Sequence, residues 1–454
     1  MTLTKHREGS LGELWSISFP LMISSLSILL MLFVDRLLLA RYSTEALNAA
    51  VNAATLGWAF IFSWFVLTNI SEVFVAQHNG AKRYTQFGAP VWQMIWMSLG
   101  SVVFFIPMAI WGSDFFYGSG PDRAMESQYF FWMMVFGPTF PLYSALCGFF
   151  VGQGRTTIIT LLAVAANVVN ALLDVILIYG WEGMVPSMGI VGAAISTSGS
   201  LVFQIIVLGA VFLKPSYRKA FGTDNYAFNW SLLKDCLKIG FPGAAFVALE
   251  ILGWAAYYEM MRYRGDNFIL IAGVCQSLAL LLFFFAEGIS KAATTIAGNL
   301  IGAERQYNIP RLFMNGIRLH FIFFTAMIAL FVLGVDVYME QFIGDLTHAR
   351  KESLEDSLRT GLLCILFYML FEGIRMLISG ILTAAGDTLF LLVGGTLSVW
   401  FLLIIPIFTI VVLGKGTMEA ASMLCVLYSF GSAILYFWRF MGGKWKTSCI
   451  EGAS

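Results

Sequence analysis

Apolar segments alternate with short polar stretches from one end of the chain to the other. Each apolar segment reaches about 20 residues, the length that spans the hydrocarbon core of a bilayer as a helix. These runs are too long and too uniform for the alternating segments of roughly ten residues that build an outer-membrane barrel. The pattern predicts an all-α polytopic membrane protein with twelve transmembrane helices, near residues 13–40, 46–76, 91–113, 128–151, 158–179, 190–213, 236–262, 268–300, 312–341, 360–384, 390–414 and 418–440.

Composition and charge agree with a membrane location. Hydrophobic residues form 59% of the 454 residues and charged residues only 12%, about half the charged share of a soluble domain. The positive-inside rule assigns the loops that are rich in Lys and Arg to the cytoplasm. These cations lie on the side of the N-terminus: Lys82, Arg83, Arg155, Lys214, Arg218, Lys219, Lys234, Arg305, Arg311, Arg439, Lys444 and Lys446. We therefore expect a multi-pass inner-membrane protein with both termini in the cytoplasm, surrounded by lipid and without a nucleic-acid partner.

The two halves of the chain repeat each other. SISFPLMISS around Pro20 aligns with KIGFPGAAFV around Pro242. The same shift of 222 positions places NGAKRY (79–84) on IGAERQ (301–306), and a shift of 232 places GQGRTT, which begins at Gly152, on AAGDTL. Each half therefore holds six helices, and an even number gives both halves the same orientation about an axis along the membrane normal.

We expect two pseudo-symmetric six-helix bundles around a central cavity. The predicted divisions are an N-terminal bundle at 1–213, a cytoplasmic linker at 214–235, a C-terminal bundle at 236–440 and a cytoplasmic tail at 441–454. Six cysteines without a C-x-x-C pair and four scattered histidines predict no metal site. They also lack the clustering that an enzyme active site needs, so we do not expect an enzyme.

Ionisable residues inside apolar segments cost free energy when they are transferred into the membrane, so they usually face a cavity or a partner. Asp35 in MLFVDRLLLA is either a functional carboxylate or, because about 20 apolar residues precede it, the outer end of the first helix. Asn167, Asn170 and Asp174 are three and four residues apart, which places them on one face of the fifth helix. That face is either part of a polar site or a hydrogen-bonded seam between helices. Thr197 in the sixth helix offers a hydroxyl group that serves either packing or binding.

The second half carries two acids near the middle of apolar helices. Glu250 lies midway along the seventh helix and Glu372 midway along the tenth. Tyr368 lies one turn before Glu372 on the same face, and Arg375 lies three residues after it, where an ion pair can form. Glu372 and Arg375 are therefore either part of a binding site or a static pair that holds two helices together.

These features resemble the multidrug and toxic compound extrusion (MATE) family of cation-coupled exporters along the whole chain. In that family each repeat carries a proline in its first helix, a small-residue turn after the second and a G-x-G-like turn after the fourth, as FP, NGAKRY and GQGRTT do here. The resemblance places a first-half cation and substrate site on Asp35, Asn170, Asp174 and Thr197. It places a secondary cation site on Glu250, Tyr368 and Glu372.

Arg375 departs from the family pattern, because it puts positive charge where a bound Na⁺ needs negative charge. The resemblance therefore implies coupling to H⁺ at the first-half site, as in the DinF-like rather than the NorM-like branch, with Na⁺ as the alternative. It implies a secondary active antiporter that exports cationic or amphipathic organic compounds, needs no cofactor and functions as a monomer. The alternative class is a lipid-linked precursor flippase, for which we expect more spans and a cationic cavity. Glu287 and Lys291, four residues apart, are interpreted as a static ion pair outside the site.

Overall fold

The computed structural model describes residues 3–117, 123–344 and 347–446, and the regular elements of this part of the chain are helices. The first half contains α1 (Leu11–Tyr42), α2 (Thr44–Asn69), α3 (Ser71–Gly80), α4 (Gly88–Gly100), α5 (Val102–Phe116), α6 (Arg123–Val135), α7 (Thr139–Val151), α8 (Thr156–Tyr179), α9 (Ile190–Phe212) and α10 (Pro215–Phe221). The second half contains α11 (Trp230–Arg264), α12 (Asp266–Gly302), α13 (Ile309–Ile343), α14 (His348–Ala384), α15 (Thr388–Ser398) and α16 (Met418–Met441).

The predicted number of transmembrane helices is confirmed. In the described residues, eleven helical segments are long and apolar enough to cross a membrane, and there are twelve when α6 and α7, which are bent by 40° at their junction, are counted as one span. Two of the eleven segments each consist of two neighbouring helices. One combines α2 with α3, and the other combines α4 with α5. The span that begins with α15 continues to Leu413 in π-helical geometry around Pro406, a common place for a helix to deviate from α geometry.

The backbone confirms the internal repeat. Lys82, in the turn after α3, has a left-handed φ of 61°, and Glu304, 222 positions later, has a φ of 58°. Gly154, in the turn after α7, has a φ of 73°, and Gly386, 232 positions later, has a φ of 76°. Both pairs of sequence motifs therefore form turns of the same conformation, which reverse the chain at equivalent positions of the two halves.

The first helix begins and the last helix ends on the same side of the molecule, which we call the terminal side. Asn315 Nδ2 in α13 donates to the carbonyl oxygen of Gly9 at 2.8 Å. Phe313 of the same helix packs on Phe440 near the end of α16, with ring centroids 4.8 Å apart. Both ends of the helical part therefore lie beside the start of α13, and we call the opposite side the far side.

The two bundles share one hydrophobic core on the terminal side. This core includes Leu14 of α1 and Leu300 of α12. Toward the far side, the buried apolar residues of the described chain form separate clusters that belong to one bundle each, such as those around Phe130 of α6 and Met261 of α11. The bundles are therefore packed together at one end and separated by a cleft at the other.

The segment predicted as a linker is partly helical. α10 occupies Pro215–Phe221, and α11 begins at Trp230, so the last residues of the predicted linker belong to the first helix of the second bundle. The last helix ends at Met441 and a 3₁₀ turn follows at Lys444–Lys446. The rest of the predicted tail, 447–454, lies outside the described residues.

Candidate functional site

Asp35 lies inside α1 rather than at its end. The helix continues to Tyr42, and Asp35 is only 7% exposed, whereas the neighbouring Arg36 is exposed. The interpretation of this acid as the outer end of the first helix is therefore wrong. The carboxyl group instead points into the first bundle, where it has polar neighbours.

The four residues predicted for the first-half site come together from α1, α8 and α9. Thr197 Oγ1 donates to Asp35 Oδ2 at 2.9 Å. The carboxyl group of Asp35 also lies beside the amide of Asn170 and within hydrogen-bonding reach of the carboxyl group of Asp174. Ser196, the residue before Thr197, donates to Asp174 Oδ1. We call Asp35, Asn170, Asp174, Ser196 and Thr197 the N-terminal acid cluster.

Local sequence explains how α8 and α9 approach each other at this cluster. A Cβ atom on Gly192 would lie 2.6 Å from the carbonyl carbon of Leu177, so only glycine allows the two backbones to come this close. Asn167 Nδ2 donates to the carbonyl oxygen of Ser27 at 3.0 Å and so connects α8 to α1. Asn167 therefore forms the interhelical seam, while Asn170, on the same face, lies in the acid cluster.

The two carboxyl groups of the cluster need a proton or a cation between them. Asp35 Oδ1 and Asp174 Oδ2 are buried and have no hydrogen-bond donor among the described residues. Two ionised carboxylates repel each other at contact distance, and they can share a hydrogen bond only when one of them is protonated. The geometry therefore suits an exchange of protons or cations.

Two residues of this region were missed by the sequence interpretation. Ser196 was given no role in the sequence analysis, although its hydroxyl group donates directly to Asp174. Tyr129 of α6 lies close to both Asp35 and Asp174. Tyr129 lies in an apolar run that is rich in aromatic residues, as in many ordinary membrane helices. No local signal in the sequence therefore identifies it.

The second-half acids are joined by Arg375. Its Nε donates to Glu372 Oε2 at 2.8 Å and its Nη2 donates to both Glu372 Oε1 and, at 3.2 Å, Glu250 Oε1. The guanidinium group also lies over the rings of Phe246 and Tyr436, where cation–π attraction adds to the ion pairs. Arg375 therefore occupies the space between the two carboxylates.

Among the described residues, Tyr368, the third residue predicted for the second-half site, is not hydrogen-bonded to Arg375 or to either acid. Its ring packs edge-on against Trp254 of α11, with ring centroids 6.0 Å apart. The two clusters are also unrelated by the internal repeat, because a shift of 222 positions places Asp35 on Tyr257. The pseudo-symmetry of the backbone thus does not extend to the acids of these two clusters.

Two six-helix repeats of one orientation, a cleft between them and acids inside a helical bundle define a membrane transporter. The sequence profile of the MatE family matches residues 20–176 and 247–410, one segment in each half. The chain belongs to this family, the MATE transporters, and is not an enzyme.

Known proteins resemble the chain over most of its length. A probable multidrug resistance protein NorM of Xylella fastidiosa is 26% identical over 392 residues, which cover 85% of this chain and 81% of that protein. The probable NorM of Bacillus subtilis is 24% identical over 416 residues, 88% of each chain. A solved structure of a multidrug resistance MATE transporter in an outward-facing conformation aligns over 98% of both chains, with a TM-score of 0.84 and 16% identity.

Proposed function

We propose that this protein exports cationic or amphipathic organic compounds in exchange for protons, with Na⁺ as the alternative coupling ion. The observation that carries the proposal is the contact between the carboxyl groups of Asp35 and Asp174 inside the first bundle. The curated relatives named as multidrug resistance proteins support the substrate class. Assignment to the DinF-like branch stays a prediction.

The exchange follows from the charge of the N-terminal acid cluster. Two like charges about 4 Å apart at an effective dielectric constant of about 20 repel by roughly 4 kcal/mol. An organic cation relieves this repulsion between Asp35 and Asp174, and protonation of one carboxyl group relieves it equally well. The two occupants therefore compete for the same site, and arrival of a proton from outside promotes release of the substrate.

The second-half acids have a different role in this proposal. Arg375 neutralises Glu250 and Glu372, so little net negative charge is left there for a second cation. We assign the terminal side to the cytoplasm, because Lys and Arg concentrate in the loops of that side. The protein then acts as a monomer of the inner membrane, and the cleft on the far side opens outward.

Transport by purified protein in lipid vesicles tests the proposal. Export of a fluorescent organic cation such as ethidium is measured with a pH gradient and a Na⁺ gradient imposed separately. We expect the pH gradient to drive export by the wild type, and Asp35→Asn to reduce it to the rate of protein-free vesicles, because the amide cannot exchange a proton. Asp114→Asn is the matched control, because Asp114 is an exposed carboxylate of the same bundle.

Two outcomes would contradict the proposal. Wild-type rates in Asp35→Asn at equal protein content would show that this carboxyl group does not couple transport. Export driven by a Na⁺ gradient alone would show that the alternative ion is the physiological one.

A further inference from the structure

A second ionic group lies where the two bundles meet. Lys291 Nζ of α12 contacts Glu287 Oε1 of the same helix at 2.7 Å. Glu72 of α3, in the other bundle, is 1% exposed and accepts hydrogen bonds from Thr295 Oγ1 at 2.7 Å and Asn69 Nδ2 at 3.2 Å. Lys291 is close enough to Glu72 to interact with it electrostatically. We call Glu72, Glu287 and Lys291 the interface triad.

The triad lies at the floor of the cleft. Along α12, Leu280 and Leu281 are about half exposed, whereas Thr295 and Ala297 are fully buried in the shared core. Glu287 and Lys291 lie between these two zones, and their side chains are 25% and 30% exposed. Residues of the first bundle flank them, because Ser25 of α1 lies beside Glu287 and the Phe65 ring centroid lies 5.9 Å from the Lys291 ammonium group.

The partners of Glu72 are divided between the bundles, and this division decides what happens when the terminal side opens. Glu287 and Lys291 are four residues apart on one helix, so their ion pair moves as a unit. Asn69 moves with Glu72, but Thr295 and Lys291 belong to the other bundle. A rigid-body separation of the bundles therefore exposes Glu72 and removes its two partners across the interface.

We propose that Glu72 is a binding residue for organic cations when the transporter is open to the terminal side, and that Lys291 competes with the substrate for it. A carboxylate without a positive partner at the floor of an open cavity attracts a cation from that side. Closure brings the tethered ammonium group of Lys291 and the hydroxyl group of Thr295 back to Glu72. Closure therefore displaces the substrate from Glu72 toward the cleft. This inference rests on the proposed export of cations by alternating access.

Transport kinetics of two variants test this role. The assay uses vesicles in which the terminal side faces the medium, and it measures the initial rate of ethidium uptake against ethidium concentration. Glu72→Gln keeps the size of the side chain and an acceptor oxygen for Thr295 but loses the charge. KM should therefore rise about tenfold, the effect of losing one charged hydrogen-bonded contact. Lys291→Gln removes the competitor, so KM should fall while the maximal rate also falls, because release becomes slower.

Opposite shifts in KM distinguish this proposal from a purely structural role of the interface triad. If the triad only held the bundles together, both variants would loosen the same interface and would change KM in the same direction. Glu304→Gln is the matched control, because it removes an exposed carboxylate from the turn that follows α12. Glu72→Asp retains the charge and should keep KM within about twofold of the wild type.

Each variant tests the role of the triad by itself, so if one variant does not accumulate in the membrane, the KM of the other still tests the proposal. An unchanged KM in Glu72→Gln, or an unchanged or higher KM in Lys291→Gln, would overturn the role of the interface triad. Failure of the wild type to transport any organic cation would instead overturn the proposed function.

Discussion

The contacts of Arg375 predict that Glu372 is needed for stability more than for turnover. Glu372→Gln keeps the shape of the side chain but removes its charge. Arg375, only 5% exposed, then loses its charge-assisted bonds to Glu372, one of which is 2.8 Å long. Among the described residues, Glu250 at 3.2 Å remains as its carboxylate partner. The variant therefore leaves a buried cation that is only partly compensated.

The structure gives an order of magnitude for this loss. Removing one partner of a buried ion pair destabilises a protein by about 3–5 kcal/mol. Because the Glu250 contact survives, we expect Glu372→Gln to fall near the lower end, at about 3 kcal/mol. Glu250→Gln should lose less, about 1.5 kcal/mol, because this carboxylate makes one contact of 3.2 Å and its side chain is 21% exposed.

The free energy of unfolding, measured in mild detergent with increasing denaturant, checks these values. The double variant Glu372→Gln/Arg375→Gln removes both charges and should lose about 1–2 kcal/mol less than the sum of the single variants. Asp336→Asn is the control, because Asp336 and Arg359 form an exposed ion pair of the same bundle, whose loss should change stability by less than about 1 kcal/mol.

One result would refute this reasoning about Arg375. A Glu372→Gln protein with the unfolding free energy of the wild type, which binds substrate but no longer responds to a Na⁺ gradient, would identify the second-half acids as a cation site. Export per correctly folded molecule therefore has to be measured alongside stability.

Two further predictions concern conformation. Pro20 interrupts the hydrogen bonding of α1 fifteen residues before Asp35. Spin-label distances to the far half of α1 should therefore differ between low and high pH, and this difference should shrink in Pro20→Ala. Equal distances at both pH values with intact transport would mean that the proton acts through charge alone. A Cβ atom on Gly80 would overlap the backbone of Asn299 across the interface. Gly80→Ala should therefore weaken closure of the terminal side by about 1–3 kcal/mol and make engineered cysteines at the interface more reactive toward thiol reagents. Gly209→Ala, at a position with open space, should leave that reactivity unchanged.

The sequence by itself determined the spans, the repeat and part of the acid cluster. A span depends on the summed hydropathy of about 20 neighbouring residues, because the thickness of the bilayer sets its length. Lys82 and Glu304 adopt the same turn because equivalent short motifs reverse the chain there. Asn170 and Asp174 share a face because residues four apart lie one turn apart on any α-helix. All of these properties are local along the chain.

Only the tertiary structure decided which charged groups meet. Thr197 is 162 positions from Asp35, Arg375 is 125 positions from Glu250, and Thr295 is 223 positions from Glu72. Sequence interpretation assigned Glu287 and Lys291 to a static pair and gave no role to Glu72. Hydropathy shows that a helix crosses the membrane, but the rotation of that helix about its axis and the identity of its neighbour depend on how all twelve spans pack. Partners across a helix interface are therefore set by packing rather than by spacing along the chain.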